Sequence, residues 1–260
     1  MKIKKISNSF FLLDIIKNTF ARIWALWGLV TFVVTFLIFF LPSMLSHLFK
    51  DEKKGQDFFI NVSKWWMNVW LIFVGCPVTV SGKENFIAHE NYVVVFNHNA
   101  LLDVPLSAPY IPGGNKTIAK DSFAKVPVFG WFYRRGAILV NRKDERSRIK
   151  SFDEMKKVLA KGMHMCIYPE GTRNRTAEPL KQFYDGAFKL AIESKKEILP
   201  CVIIGTKEAM PINKTFYLLP TRLKMYFLPA VSSQNISAKD LKEKVFTVMK
   251  EYYVKNSLGV

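Results

Sequence analysis

The sequence is short of cysteine, and this shortage limits what the protein can be. Three cysteines occur in 260 residues, at Cys76, Cys166 and Cys201, and none has the C-x-x-C spacing of a zinc site or redox pair. We therefore expect no structural metal and no disulfide framework. The chain should carry three reduced, buried thiols and face the cytoplasm.

Acidic side chains are also scarce, at 21 against 38 lysines and arginines, which gives a formal net charge of +17. Such a surface attracts anions: nucleic acid, acidic lipid headgroups or phosphorylated substrates. A hydrophobic content of 50% excludes a disordered chain, and a charged content of 23% excludes a polytopic membrane protein. The length suits one α/β domain with an addition.

Ionisable side chains are absent from Ile23 to Ser46. As a helix this run is about 36 Å long, enough to cross a hydrocarbon core of about 30 Å. A second apolar stretch, Phe58 to Val74, is interrupted by polar residues and rich in tryptophan, which is typical of a membrane interface. We predict that residues 1–75 are a membrane-anchoring helical hairpin and that 76–260 are an α/β domain.

Lysines flank the first apolar run on both sides, so the positive-inside rule does not orient a single span. A hairpin that spans the bilayer and one that enters a single leaflet both remain possible. The alternative is that both stretches are core helices of a soluble protein, although core helices rarely run so long without a polar face.

From residue 77 onward, β-rich and helical patterns alternate, which favours a mixed, largely parallel sheet flanked by helices. The predicted strands are Val78–Val80, Tyr92–Phe96, Thr117–Ala119, Ala137–Val140, Met165–Tyr168, Leu199–Ile204 and Leu223–Phe227. The predicted helices are Arg146–Lys161, Phe183–Ser194 and Ala238–Lys255.

The heptapeptide Asn97 to Asp103, NHNALLD, directly follows a buried strand. His98 and Asp103 are too far apart around one helix to meet, but they can meet if His98 lies in the turn, with Asn99 as the N-cap of the next helix. A carboxylate on one imidazole nitrogen leaves the other nitrogen as a base. The pattern equally fits a capped turn with a surface histidine.

A second cluster, Tyr168 to Arg173 (YPEGTR), also follows a strand. Gly171 allows backbone N–H groups to approach an anion, and Arg173 can bind a phosphate. Alone it could be an ordinary turn. Open α/β sheets bind ligands where strands end, and this cluster should lie at the same edge as His98.

Four segments together resemble the ordered blocks of the glycerolipid acyltransferases. They are Asn97-His98-x4-Asp103, Gly136–Arg142 (GAILVNR), Tyr168–Arg173 and Ile198–Val202 (ILPCV). Within that family the likeness is to the bacterial enzymes that acylate 1-acyl-sn-glycerol 3-phosphate. The N-terminal apolar pair is similar to the family's membrane-anchoring helices.

The resemblance implies that His98 is a general base, oriented by Asp103, that deprotonates the sn-2 hydroxyl of the acceptor to give phosphatidic acid. The acyl donor would be an acyl-CoA or acyl-carrier-protein thioester, with no other cofactor and no metal. The implied substrate-binding residues are Lys120, Arg142, Glu170, Gly171, Thr172 and Arg173, although Glu170 is better suited to ordering its turn than to chemistry.

The expected partners are the lipid bilayer, a lysophospholipid and the thioester donor, at the cytoplasmic face of the inner membrane. Another acceptor, such as glycerol 3-phosphate, a different lysophospholipid or a lyso-ornithine-type lipid, would suit the same residues. A non-catalytic basic membrane-binding module is a further alternative. A nucleic-acid partner is not expected, because no nucleic-acid motif accompanies the basic charge.

Overall fold

The computed structural model describes residues 2–141 and 143–257, with side chains from residue 12 onward. The helices are α1 Lys2–Met44, α2 Glu52–Phe73, α3 Asp103–Ser107, α4 Phe129–Gly136, α5 Glu145–Ala160, α6 Gly186–Glu193, α7 Thr206–Ala209 and α8 Ala238–Ser257. The strands are β1 Val78–Ser81, β2 Val93–Phe96, β3 Asn115–Lys120, β4 Ala137–Val140, β5 His164–Ile167, β6 Ile198–Ile204 and β7 Leu223–Phe227.

The strands form one sheet in the order β1-β7-β6-β2-β5-β3-β4. Neighbouring strands are parallel except for the antiparallel pair β6 and β7. The expected mixed, largely parallel sheet with flanking helices is confirmed. Strands β2 to β6 all run in one direction, so their carboxyl ends share one edge of the sheet.

Both faces of the sheet are covered, as the continuously apolar β2 predicts. Successive β2 side chains point to opposite faces. Val94 and Phe96 pack in a core with α1 and α2, whereas Val93 and Val95 pack in a second core with α5, α6 and α8. Helix α2 therefore belongs to the core of the α/β fold.

Helices α1 and α2 form an antiparallel hairpin that is held by tryptophan N–H groups. Trp70 Nε1 donates to the Gly28 carbonyl at 3.0 Å, and Trp66 Nε1 donates to Thr35 Oγ1 at 3.0 Å. Trp24 Nε1 donates to the Val74 carbonyl at 2.9 Å. Because buried indole N–H groups need acceptors, these bonds fix the register of the two helices.

The opposite side of α1 is apolar and exposed. Its uncovered side chains include Ile23, Leu26, Val30, Val34, Leu37, Ile38 and Leu41. By length and composition, Leu12–Leu48 is the one stretch among the described residues that could cross a membrane, and 28% of its most apolar window is buried. Helix α2 packs one side against α1 and the sheet core, while Trp65, Ile72 and Phe73 on its other side are exposed. That residues 1–75 anchor the protein to a membrane stays a prediction.

Candidate active site

The predicted pairing of His98 with Asp103 occurs in the structure. His98 lies in the turn after β2, and its Nδ1 is 2.9 Å from Asp103 Oδ2. Asp103 is fully buried, whereas 16% of the His98 side chain is exposed. With Nδ1 held by the carboxylate, Nε2 is the ring nitrogen that remains to accept a proton.

The same Asp103 oxygen also shapes the turn. The N–H groups of Asn99 and Ala100 donate to Oδ2 at 2.6 and 2.7 Å, while Oδ1 has no partner among the described residues. Asn99 was expected to cap the helix, and that expectation is wrong: α3 begins at Asp103, with Leu102 as its N-cap. Instead, the carboxylate of Asp103, the first residue of α3, accepts the hydrogen bonds of the N–H groups in the preceding turn.

The second cluster fixes the backbone of His98. Glu170 Oε1 accepts the His98 N–H at 2.8 Å, and the Asn174 N–H donates to the His98 carbonyl at 2.7 Å. Glu170 Oε2 accepts the N–H of Lys181 at 3.0 Å. The His98 backbone is thus held by residues that follow the adjacent strand β5.

Glu170 is fully buried. Burial raises the pKa of its carboxyl to about 7, against the lowering effect of the two backbone N–H bonds. Its oxygens are both used inside the protein, which matches the turn-ordering role. A direct contact between Glu170 and substrate stays a prediction from its place in the cluster.

Gly171 adopts the left-handed conformation that its turn requires, with φ of 71°. Its N–H donates to the Tyr168 carbonyl at 3.0 Å. The expected donation from this N–H to a substrate would require that bond to break. The hydroxyl of Thr172 contacts Lys181 Nζ at 2.9 Å, so this lysine also braces the turn.

The basic side chains lie at the same edge of the sheet. Lys120 ends β3, which is separated from β2 by β5 and so lies about 10 Å from it. Lys120 is exposed and Arg173 is half-buried. Within the described ranges, neither residue forms an ion pair, so both charges can face an anion. Arg142, after β4, lies outside the described residues.

Two supports of the site were not singled out from the sequence. The Tyr168 ring lies 4.6 Å from the His98 ring, and its hydroxyl bonds Ser107 Oγ at 2.7 Å. The amide of Asn97 exchanges two hydrogen bonds with the Ile203 backbone, at 2.9 and 2.7 Å, and so extends the pairing of β2 with β6. The sequence signal that could have identified them is their position: Asn97 directly precedes His98, and Tyr168 lies two residues before Glu170.

The fold places a histidine and a buried carboxylate at a basic edge of a largely parallel sheet. Comparisons with known proteins identify the family of this fold. Residues 77–204 match the family model described as Acyltransferase. The described site residues from Asn97 to Lys181 all lie within the match. Residues 77–204 therefore form a domain of the acyltransferase family.

Several relatives carry one activity in their names. The chain is 29% identical over 199 residues to a 1-acyl-sn-glycerol-3-phosphate acyltransferase of Chlamydomonas reinhardtii, covering 75% of this chain and 58% of that protein. It is 26% identical over 196 residues to one of Borreliella burgdorferi, covering 73% and 74%. It spans about half the length of other curated relatives, 47% of one from Cocos nucifera and 46% of one from Saccharomyces cerevisiae.

The fold is similar to a crystal structure of the 1-acyl-sn-glycerophosphate (LPA) acyltransferase PlsC from Thermotoga maritima. The TM-score is 0.75 at 22% identity, over 92% of this chain and 96% of that chain. The similarity therefore includes the N-terminal helices as well as the sheet.

Proposed function

We propose that this protein transfers an acyl group from acyl-CoA or acyl-carrier protein to the sn-2 hydroxyl of 1-acyl-sn-glycerol 3-phosphate. The observation that carries the proposal is the 2.9 Å contact between His98 Nδ1 and a fully buried Asp103, at a sheet edge that also holds Lys120 and Arg173. The names of the relatives support the choice of acceptor.

In the proposed reaction, His98 Nε2 takes the proton of the acceptor hydroxyl. The oxygen attacks the carbonyl carbon of the thioester, the C–S bond breaks, and the imidazolium returns the proton to the leaving thiolate. Asp103 holds the ring and stabilises its positive charge. Positioned proton transfer of this kind typically gives about 10²–10⁴-fold in rate.

The phosphate of the acceptor would be bound by Lys120, Arg173 and Arg142, while Gly171 and Thr172 shape the turn beside it. Both substrates meet at a membrane surface, because the acceptor and product are lipids and the donor is soluble. We place this surface on the cytoplasmic face of the inner membrane, where thioester donors are made. Residues 1–75 would supply the attachment.

The test is a matched pair of substitutions, His98→Asn and His89→Asn, in the purified full-length protein. His89 is exposed and precedes β2, at the other end of the strand from His98. We expect His98→Asn to lose at least about 10²-fold in turnover and His89→Asn to keep the wild-type rate. A His98→Asn protein that retains more than about a tenth of the rate would exclude the general-base role.

The same assay should include a panel of acceptors with both donors. We expect 1-acyl-sn-glycerol 3-phosphate to be the best acceptor by kcat/KM. A preference for glycerol 3-phosphate, a zwitterionic lysophospholipid or a lyso-ornithine lipid would keep the chemistry and change the substrate. No transfer to any acceptor would favour a non-catalytic membrane module.

A further inference from the structure

We propose that a second site, remote from His98, binds the phosphate of an anionic phospholipid of the bilayer. The site is a cleft of about 360 Å³ between the end of α1 and α4, here called the basic cleft. It is lined by Met44, His47, Lys116, Trp131, Arg134 and Arg135. This binding does not depend on the acyl-transfer reaction.

The basic cleft lies at the border of an apolar surface. Leu41, near the end of α1, and Leu45 and Leu48, in the turn that follows it, are more than half exposed. Trp131 is 66% exposed, and its ring stacks on Phe40 of α1 at 6.3 Å. Since exposed tryptophans favour the level of lipid headgroups, this border is where the phosphates of a bilayer covering α1 would lie.

The cations of the cleft outnumber their carboxylate partners. Lys116 Nζ bonds Glu52 at 3.1 Å, and Lys161 shares the same carboxylate. Arg134 and Arg135 form no salt bridge with any described carboxylate. The cleft therefore keeps a net positive charge that an anion could neutralise.

Both arginines are fixed by neutral acceptors and retain further donors. Arg135 Nε donates to Ser46 Oγ at 3.2 Å, and Arg134 Nη2 donates to the Ala124 carbonyl at 3.2 Å. A guanidinium carries five N–H donors, so each side chain is held in place with donors left for phosphate oxygens. Arg135 anchors the cleft, and the exposed Arg134 is the better residue to substitute.

The cleft cannot be part of the acceptor site. Lys116 and Lys120 are four residues apart on β3, a distance of about 13 Å. Arg134 and Arg135 lie in the last turn of α4, just before β4 begins, whereas His98 follows the end of β2. Since β2 and β4 run in the same direction, the two sites lie at opposite ends of the strands. A phosphate bound in the cleft would therefore belong to a second lipid, which would fasten the far end of α1 to the membrane.

The test measures contact with brominated lipids, which quench tryptophan emission. Brominated phosphatidylglycerol or phosphatidylcholine is added at rising mole fraction to neutral-detergent micelles that hold the full-length protein. We expect half-saturation with phosphatidylglycerol at a mole fraction at least about fivefold lower than with phosphatidylcholine. The phosphatidylglycerol-specific quenching should disappear in Trp131→Phe.

Substitutions locate the charge that is responsible. Arg134→Gln should raise the half-saturating phosphatidylglycerol fraction at least about fivefold, whereas Arg134→Lys should change it by less than about twofold. The matched control is Arg148→Gln on α5, which packs on the opposite face of the sheet and should bind like wild type.

Three results would overturn the proposal. They are equal half-saturation by the two lipids in the wild type, unchanged binding by Arg134→Gln, and full displacement of phosphatidylglycerol by millimolar inorganic phosphate. The last result would show that the cleft takes free phosphate. If Arg134→Gln fails to fold, the comparison of wild type with Trp131→Phe still shows whether phosphatidylglycerol contacts the cleft in preference to phosphatidylcholine.

Discussion

Two buried carboxylates hold His98 in different ways. Asp103 bonds the ring, and Glu170 bonds the backbone N–H. The ring orientation and the position of the turn are therefore controlled by separate residues. Substituting one should damage the site in a way that substituting the other does not.

At Asp103, two substitutions can separate the effect of the negative charge from the effect of the hydrogen bonds to the turn. Because Oδ1 has no described partner, Asp103→Asn can keep a carbonyl oxygen at the Oδ2 position and place its amide at Oδ1. It should lose activity, on the order of 10²-fold, through the missing negative charge. Its stability should lie between those of wild type and Asp103→Ala, because its buried amide N–H groups also lack a partner. Asp103→Ala should also lose about 2 kcal/mol or more of stability, since it leaves the Asn99 and Ala100 N–H groups unpaired.

These two variants are checked by kcat/KM and thermal unfolding side by side. Wild-type stability in Asp103→Ala would show that the carboxylate does not support the turn. Wild-type activity in Asp103→Asn would show that its charge is not used in catalysis.

Glu170 should leave a signature in the pH dependence of stability. Its pKa is about 7 in the folded protein and ordinarily 4.5, so the folded state binds more protons between those values. The free energy of unfolding should therefore fall as the pH rises from about 4.5 to 7, by at most about 3 kcal/mol. The measurement is denaturant unfolding of wild type and Glu170→Gln across this range, with the difference curve showing the slope.

The ionisation of His164 also changes the stability with pH, so the free energy of unfolding of wild type must be compared with that of Glu170→Gln at each pH. Burial lowers its pKa to about 4 from 6.5, while its Nδ1 accepts the Tyr92 N–H at 3.1 Å. The folded state thus binds fewer protons between pH 4 and 6.5, and this histidine makes stability rise with pH there. Its contribution is common to both proteins and cancels. A flat difference curve would contradict the raised pKa of Glu170.

At the scale of elements, α2 is the part that joins α1 to the sheet. Near its start, Gly55 packs against the Leu45–Leu48 turn and α4. A Cβ at Gly55 would lie 2.6 Å from the Ser46 carbonyl oxygen and from Arg135 Nη2. This close approach lets Arg135 tie α4 to the end of α1.

Gly55→Ala should therefore destabilise the protein by about 1–3 kcal/mol, although alanine is the better helix former. The matched control is Gly186→Ala at the start of α6, where a Cβ would meet nothing within 4 Å. That variant should be neutral or slightly more stable. The stabilities of the two variants are compared by thermal unfolding in the same detergent. Equal stability would mean that the contact of Gly55 with Ser46 and Arg135 can adjust to a Cβ without loss of stability.

The sequence was sufficient for elements whose signal is local. All seven strands follow from apolar β-rich runs, and α5, α6 and α8 follow from helical periodicity. The first turns of α2 were missed because they are polar: Gln56 Nε2 donates to the Asn115 carbonyl at 2.7 Å, a contact that only the folded sheet creates. The placement of β1 beside β7 was not predictable for the same reason.

The site shows the same division. The meeting of His98 with Asp103 follows from a turn of fixed length, so it was predictable. The bond from Glu170 to the His98 N–H needs β2 and β5 to be neighbours, which no local pattern states.

At the scale of the whole molecule, α1 lies along the fold with its outer side uncovered. Membrane attachment through this surface would be mainly hydrophobic and would not be screened by salt, whereas attraction of the +17 charge to acidic lipid would be screened. We expect the full-length protein to stay in the membrane fraction in about 1 M salt and to be released by detergent. Sedimentation of washed membranes measures this, and release by salt alone would show that the exposed side of α1 does not enter the bilayer.

The path of α1 also sets an order of events during synthesis. Helix α2 follows α1 at once and covers part of its inner side, but two further partners come from the far end of the chain: Lys214 Nζ bonds Asn18 Oδ1 across 196 residues, and the Leu218 N–H donates to the Ala21 carbonyl. At ribosomal rates of about 5–20 residues per second, α1 waits about 10–40 seconds for these two partners. Strand β1 waits similarly for β7. Throughout this interval the apolar outer side of α1, which no described residue covers, favours aggregation. We therefore expect the ribosome to be brought to the membrane before the sheet can close.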